Sequence, residues 1–215
     1  MSLTQKISWR IKNIYFKKFR TVYSNLKDKI IIPPYEEKRK IILRHKKKFG
    51  IDIFIETGTF LGGTVDHFKN DFKQLISFEL GIDLAEKARQ RFLQQTNVMI
   101  ISGDSGKLLP FYLKEITEPC MFWLDGHYSS EFFIGDEYIV TAKGDVNTPI
   151  VAELKAILSH AVKQHVILID DARCFTGMND YPTIQELKKI IAGFNRNLLV
   201  TVKRDIIRIT PGKTK

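Results

Sequence analysis

The sequence predicts an α/β fold: a doubly wound, mostly parallel sheet of seven strands, closed at one edge by an antiparallel hairpin and preceded by a basic helical leader. Three observations predict it. From Ile51 onward, short apolar runs alternate with amphipathic stretches of helix length. Five of these runs are separated by segments long enough for the helical crossover that parallel neighbours require. The last two, 197–203 and 205–210, lie too close for a crossover and must turn back on each other.

In chain order, residues 1–34 are read as the leader and 35–215 as a single α/β domain, the size that 215 residues allow. In the leader Ile7, Ile11, Ile14, Phe19, Val22 and Leu26 recur at helical spacing. Lys6, Arg10, Lys12, Lys17, Lys18 and Arg20 are interleaved, with Trp9, Tyr15 and Phe16 nearby. Residues 1–50 hold fifteen Lys and Arg against Asp28, Glu36 and Glu37, a net +12, which leaves −2 for the rest of a chain whose total is +10. The basicity therefore belongs to the leader. Such a helix docks on an anionic membrane or nucleic acid through residues 1–30, or lays its apolar stripe on the domain or on a second subunit of a homo-oligomer. The sequence leaves these alternatives open.

No apolar run approaches the about 20 residues that span a bilayer, and no signal-peptide core is present. Cys120 and Cys174 have neither metal-site nor disulfide spacing, so both are expected to be buried free thiols. These features point to a cytoplasmic protein, peripheral at the membrane if the leader binds one. With 44% hydrophobic and 27% charged residues, the composition is ordinary for a globular protein and argues against wholesale disorder.

Pro33-Pro34 interrupts the leader because proline lacks a donor and fixes φ. A helix from Tyr35 to Lys48 follows and stops at Gly50. Strands are then expected at 51–56, 74–79, 97–102, 119–125, 165–170, 197–203 and 205–210. Helices are expected near 63–70, 82–95, 105–116, 148–163 and 181–192. Between the fourth strand and its helix lies an insertion, Ser129–Asn147, carrying Phe132, Phe133, Tyr138 and Lys143. It is expected to be a loop that closes over the site or selects substrate.

The first strand runs into a glycine turn, Gly58-Thr59-Phe60-Leu61-Gly62-Gly63, and the second ends in Glu79, 21 positions after Gly58. Backbone N–H groups at such a turn approach a ligand, and an acid at that distance accepts from ribose hydroxyls. Phe60 stands where a dinucleotide fingerprint needs glycine to admit pyrophosphate, and no Lys-Ser/Thr follows the glycines as in a P-loop. A ligand with ribose and base but no pyrophosphate remains, a description that S-adenosylmethionine fits.

On these residues the chain resembles the class I S-adenosylmethionine-dependent methyltransferases, which have a Rossmann-like fold. Glu56-Thr57-Gly58-Thr59-Phe60-Leu61-Gly62-Gly63 matches their first motif, Glu79 the acid on the ribose, and Gly103-Asp104-Ser105 the acid and small residue beside the adenine. The resemblance implies a cofactor pocket of Glu56, Gly58, Thr59, Phe60, Gly62, Glu79, Asp104 and Ser105. Read without it, the glycines form a tight turn, Glu79 is a solvated strand end and Asp104-Ser105 is a helix N-cap.

Strand four ends at Asp125-Gly126-His127-Tyr128 and strand five at Asp170-Asp171-Ala172-Arg173. Ligands of open α/β sheets sit at the carboxyl ends of strands, so these acids should converge. Crowded carboxylates need raised pKa values or a cation, and oxygen ligands suit Mg²⁺ or Mn²⁺. A polar site without metal and plain structural capping stay open beside that reading.

The arrangement resembles metal-dependent O-methyltransferases of the catechol and macrolide or sugar types, and implies Asp125, Asp170 and Asp171 as metal ligands. It also implies methyl transfer to a hydroxyl of a small molecule or glycan. His127 departs from the acid or lysine that those families use. It stands as the base, working with Asp125, as a metal ligand, or as pocket wall. Tyr128 and Arg173 are candidates for substrate contact, Arg173 equally for a surface salt bridge. Two alternatives use the same fold: an RNA methyltransferase with the leader on phosphates, although LDGHY replaces the usual Asn-Pro-Pro-Tyr-type signature, or a module that binds a membrane or partner without catalysis.

Overall fold

A computed structural model describes residues 32–134, 136–194 and 197–212; the expected leader helix lies outside these residues. In chain order the elements are α1 (Tyr35–Phe49), β1 (Ile53–Thr57), α2 (Gly63–Phe68), β2 (Gln74–Glu79), α3 (Ile82–Arg91) and β3 (Val98–Ser102). After them come α4 (Ser105–Tyr112), which continues as a 3₁₀ turn over Leu113–Glu115, and β4 (Cys120–Leu124). Next are the hairpin β5 (Glu131–Ile134) and β6 (Glu137–Val140), then α5 (Ile150–Ser159) and β7 (Val166–Ile169). A 3₁₀ turn (Ala172–Cys174), α6 (Ile184–Ala192), β8 (Leu198–Lys203) and β9 (Ile206–Pro211) complete the chain.

Seven strands form one sheet in the order β3-β2-β1-β4-β7-β9-β8. The first five pair in parallel, whereas β9 runs antiparallel to both β7 and β8. Each central strand alternates its side chains between two apolar layers, and so reads as a continuous hydrophobic run. In β4, Cys120, Phe122 and Leu124 join a layer with Leu109, Leu154, Ile157 and Leu187 from α4, α5 and α6. Met121 and Trp123 face the opposite layer, which α1, α2 and α3 cover with Ile41, Ile42, Val65, Phe68 and Ala88.

Local signals set the helix ends. Glu36 and Glu37 lie in the first turn of α1, Lys46, Lys47 and Lys48 lie in its last, and Gly50 closes it at φ 64°. Thr183 and Glu186 make a reciprocal capping box at α6.

The structure differs from expectation in the insertion, where a hairpin replaces a loop. Its signal was present: two runs rich in aromatic and β-branched residues, EFFI and EYIV, flank Gly135-Asp136. Cys120 is buried as expected, but Cys174, in the 3₁₀ turn at the sheet's end, is only half-buried; both are free thiols. Among the described residues no helix is long and apolar enough to cross a membrane.

Candidate active site

The strand order reverses between β1 and β4, and a crevice lies over the strand ends at that switch point. Two backbone turns meet there. The Gly58 and Thr59 N–H groups donate to the Phe78 carbonyl at 2.9 and 3.1 Å, and the Asp125 N–H donates to the Thr57 carbonyl at 3.1 Å. Gly58 has φ 89°, and a Cβ on it would lie 2.7 Å from the Asp125 carbonyl oxygen, so only glycine fits between them. Phe60 takes a left-handed φ of 51°, unusual for a bulky residue. Its N–H donates to Glu79 Oε2 at 2.7 Å, while the Gly81 N–H donates to Glu79 Oε1 at 2.8 Å. Glu79 thus fixes the turns after β1 and β2 with one carboxylate and still faces the crevice.

A cavity of about 310 Å³ follows the crevice, within the range of small-molecule sites. Its lining brings together Gly58, Phe60, Glu79, Asp104 and Ser105, which lie at or just after the ends of β1, β2 and β3, with Asp125, His127 and Tyr128, which follow β4. Asp104 caps α4 by accepting from the Gly106 N–H at 2.9 Å, so capping and pocket lining coincide in one residue. The chain after the β5–β6 hairpin closes over this cavity, contributing Thr141, Ala142, Val146 and Asn147. It is pinned by Lys107 Nζ to Asp145 at 2.6 Å and by the Asn147 N–H to Asp180 at 2.8 Å.

Three residues expected in the cofactor pocket lie beneath it. Glu56 is 1% exposed and accepts from Ser77 Oγ at 2.8 Å. Burial pushes its carboxyl up to about 8, against the pull of the Ser77 hydrogen bond. The Thr59 hydroxyl bonds Ser77 Oγ at 2.6 Å. Gly62, with φ 75°, lets the Phe92 ring approach the start of α2. These residues hold the turn's shape; Gly58, Phe60, Glu79, Asp104 and Ser105 form the lining.

Glu153 was not foreseen. On α5 its Oε1 accepts from Ser105 Oγ at 2.6 Å, and burial raises its carboxyl to about 7. An acid amid Ile150, Leu154 and Ile157 on an otherwise apolar helix face was the available signal.

The acidic end also departs from expectation. Ligand atoms of Asp125, His127 and Asp171 lie within 4.8 Å of one another. His127 Nδ1 stands 3.3 Å from Asp125 Oδ1, and its Nε2 stands 3.8 Å from Asp171 Oδ2. Burial lowers the imidazole's pKa, but the Asp125 hydrogen bond and the neighbouring carboxylates outweigh it, and the net shift is upward.

Asp170, expected as a ligand, is engaged elsewhere. One of its oxygens accepts from Lys38 Nζ and the other from the Asp171 N–H at 2.9 Å. Burial first, then the charges of Asp125 and Asp171, raise its pKa to about 7 against the pull of Lys38. Arg173 pairs with Asp171 at 2.6 Å and with the buried Asp205. It forms the salt bridge rather than a waiting anion site.

No protein-family model matches the sequence, and no curated protein matches it either. Solved structures do share its fold. The O-methyltransferase TomG from Streptomyces achromogenes, involved in tomaymycin synthesis and solved with S-adenosylmethionine, aligns with a TM-score of 0.58 at 15% identity, covering 99% of this chain and 100% of that one. An O-methyltransferase from Bacillus cereus with S-adenosylhomocysteine gives 0.56 at 16% identity, over 83% and 82% of the two chains. The Podospora anserina methyltransferase PaMTH1, also bound to S-adenosylhomocysteine, gives 0.56 at 12% over 99% and 98%. The chain therefore shares its fold with these three methyltransferases, two of them O-methyltransferases.

Proposed function

We propose that this protein transfers a methyl group from S-adenosylmethionine to a hydroxyl of a small molecule or sugar. The observation that carries this reading is one cavity lined by Gly58, Glu79 and Asp104 at the ends of β1, β2 and β3 and by Asp125 and His127 after β4. The donor fits the first group: Glu79 has lone pairs beyond its two backbone bonds for ribose hydroxyls, and Asp104 and Ser105 lie where the adenine edge would rest. Phe60 narrows the turn against anything bulkier.

In the second group His127 takes the proton of the acceptor hydroxyl, oriented by Asp125 across 3.3 Å. Tyr128 walls the acceptor side, with Lys143 Nζ 5.4 Å from its ring centroid. Holding donor and acceptor in line supplies most of the acceleration expected for such a transfer.

A second reading is favoured by the Asp125, His127 and Asp171 donor set, which fits a divalent cation. When bound, that ion would lower the pKa of the acceptor hydroxyl. The imidazole makes Mn²⁺ a better match than Mg²⁺, and His127 would then be a ligand rather than the base.

A screen of S-adenosylhomocysteine release with catechols, sugars, glycosides and RNA, with Mn²⁺ or with chelator, separates the readings. Turnover unaffected by chelator and lost in His127→Gln supports the base. Turnover that needs Mn²⁺ supports the ion. Release with RNA alone refutes the choice of acceptor.

A further inference from the structure

Lys38 has no place in the sequence pattern of the site, yet it reaches the centre of it. It is carried by the first turns of α1, which the domain holds firmly. The Tyr35 hydroxyl bonds Thr64 Oγ1 at 2.9 Å beside the cofactor turn, Glu37 pairs with Arg204 at the β8–β9 turn, and Ile41 and Ile42 are buried in the core. From this anchored helix the Lys38 ammonium enters between the strand ends and bonds Asp170 Oδ2. The Lys38 side chain is 16% exposed and that of Asp170 3%, so the pair is an interior contact. The other Asp170 oxygen is taken by the Asp171 N–H, at a residue held in a left-handed φ of 55°. Both oxygens of Asp170, one of the three expected ligands, are thus engaged by the chain itself.

Three carboxylates at two strand ends need positive charge nearby. Here Lys38 answers Asp170, and Arg173 answers Asp171 and Asp205. We propose that Lys38 is the built-in counter-cation of this centre: it occupies Asp170, keeps that carboxylate out of any divalent-cation site, and makes α1 part of the reaction centre. Lys38 is a positioning residue, since it acts through Asp170 and the Asp170-Asp171 turn. The inference stands on these contacts and does not depend on the identity of the methyl acceptor.

The test is Mn²⁺ binding to the full chain, followed by electron paramagnetic resonance and calorimetry without substrate, with S-adenosylhomocysteine affinity as the check on folding. Lys38→Gln frees an oxygen donor and removes a repelling cation, so it should tighten Mn²⁺ by about tenfold or more. Lys38→Arg should retain the wild-type affinity, and the gain should vanish in the Lys38→Gln, Asp170→Asn double variant. Lys38→Met offers a second route should Lys38→Gln fold poorly: it also frees the Asp170 oxygen and should tighten Mn²⁺ likewise. The proposal is overturned if neither Lys38→Gln nor Lys38→Met binds Mn²⁺ better than wild type, or if the double variant keeps the gain. Failure of the methyltransferase reading would show separately, as wild-type protein that does not bind S-adenosylhomocysteine.

Discussion

Glu79→Gln is the most informative single substitution because one carboxylate serves two turns and a ligand. Its oxygens accept from the Phe60 and Gly81 N–H groups at 2.7 and 2.8 Å. A glutamine can offer an acceptor to one of them, but its NH₂ then confronts the other. A hydrogen bond to a charged group contributes about 1.5–3 kcal/mol, so losing one should cost about 2 kcal/mol of stability. At roughly 2–4 °C per kcal/mol for a chain of this size, Tm should fall by about 4–8 °C. The same loss of a charged acceptor under the ribose should weaken S-adenosylhomocysteine by about 10- to 100-fold. Scanning fluorimetry and calorimetric titration read the two effects independently. A lowered Tm with unchanged ligand affinity would show that Glu79 only braces the turns, and would refute its placement on the ribose.

Other substitutions probe neighbouring claims. Gly58→Ala puts a methyl group 2.7 Å from the Asp125 carbonyl oxygen at positive φ, so it should destabilise by roughly 1–3 kcal/mol or more and reduce ligand binding, both measurable by denaturation and calorimetry. Glu153 is buried with its carboxyl raised from 4.5 to about 7, so folding favours the protonated acid. The stability tied to that proton is complete below about 4.5 and lost as pH rises to about 7; Glu153→Gln should flatten the dependence of Tm on pH across this window, and an unchanged slope would contradict it. His127→Gln should keep S-adenosylhomocysteine binding yet slow transfer by about 100-fold or more, the usual contribution of a general base. Undiminished turnover would remove His127 from the chemistry.

The sheet was legible because its central strands are buried on both faces and therefore spell unbroken apolar runs such as CMFWL and VILI. The closing hairpin followed from the short gap between its strands. Gly58, Glu79 and Asp104 were legible because the chain places them at strand ends and helix starts, where local sequence dictates backbone geometry. The limits have physical causes. Glu56 and Thr59 share the turn's sequence with Phe60, but Glu56 at the end of β1 and Thr59 in the turn after it both reach the buried Ser77 hydroxyl of β2. Asp170 and Asp171 are adjacent in sequence yet differ in role, because one turns toward a lysine 132 positions away. No local pattern encodes that contact. The β5–β6 hairpin falls outside the expected strand pattern because its strands pair only with each other and build no part of the main sheet.

The central claim is that the crevice between β1 and β4 binds S-adenosylmethionine. Calorimetric titration of S-adenosylhomocysteine into the full chain tests it most directly. A single saturable site with micromolar affinity, weakened in Glu79→Gln and in Gly58→Ala, is the predicted result; no heat of binding at ligand concentrations well above the micromolar range would contradict it.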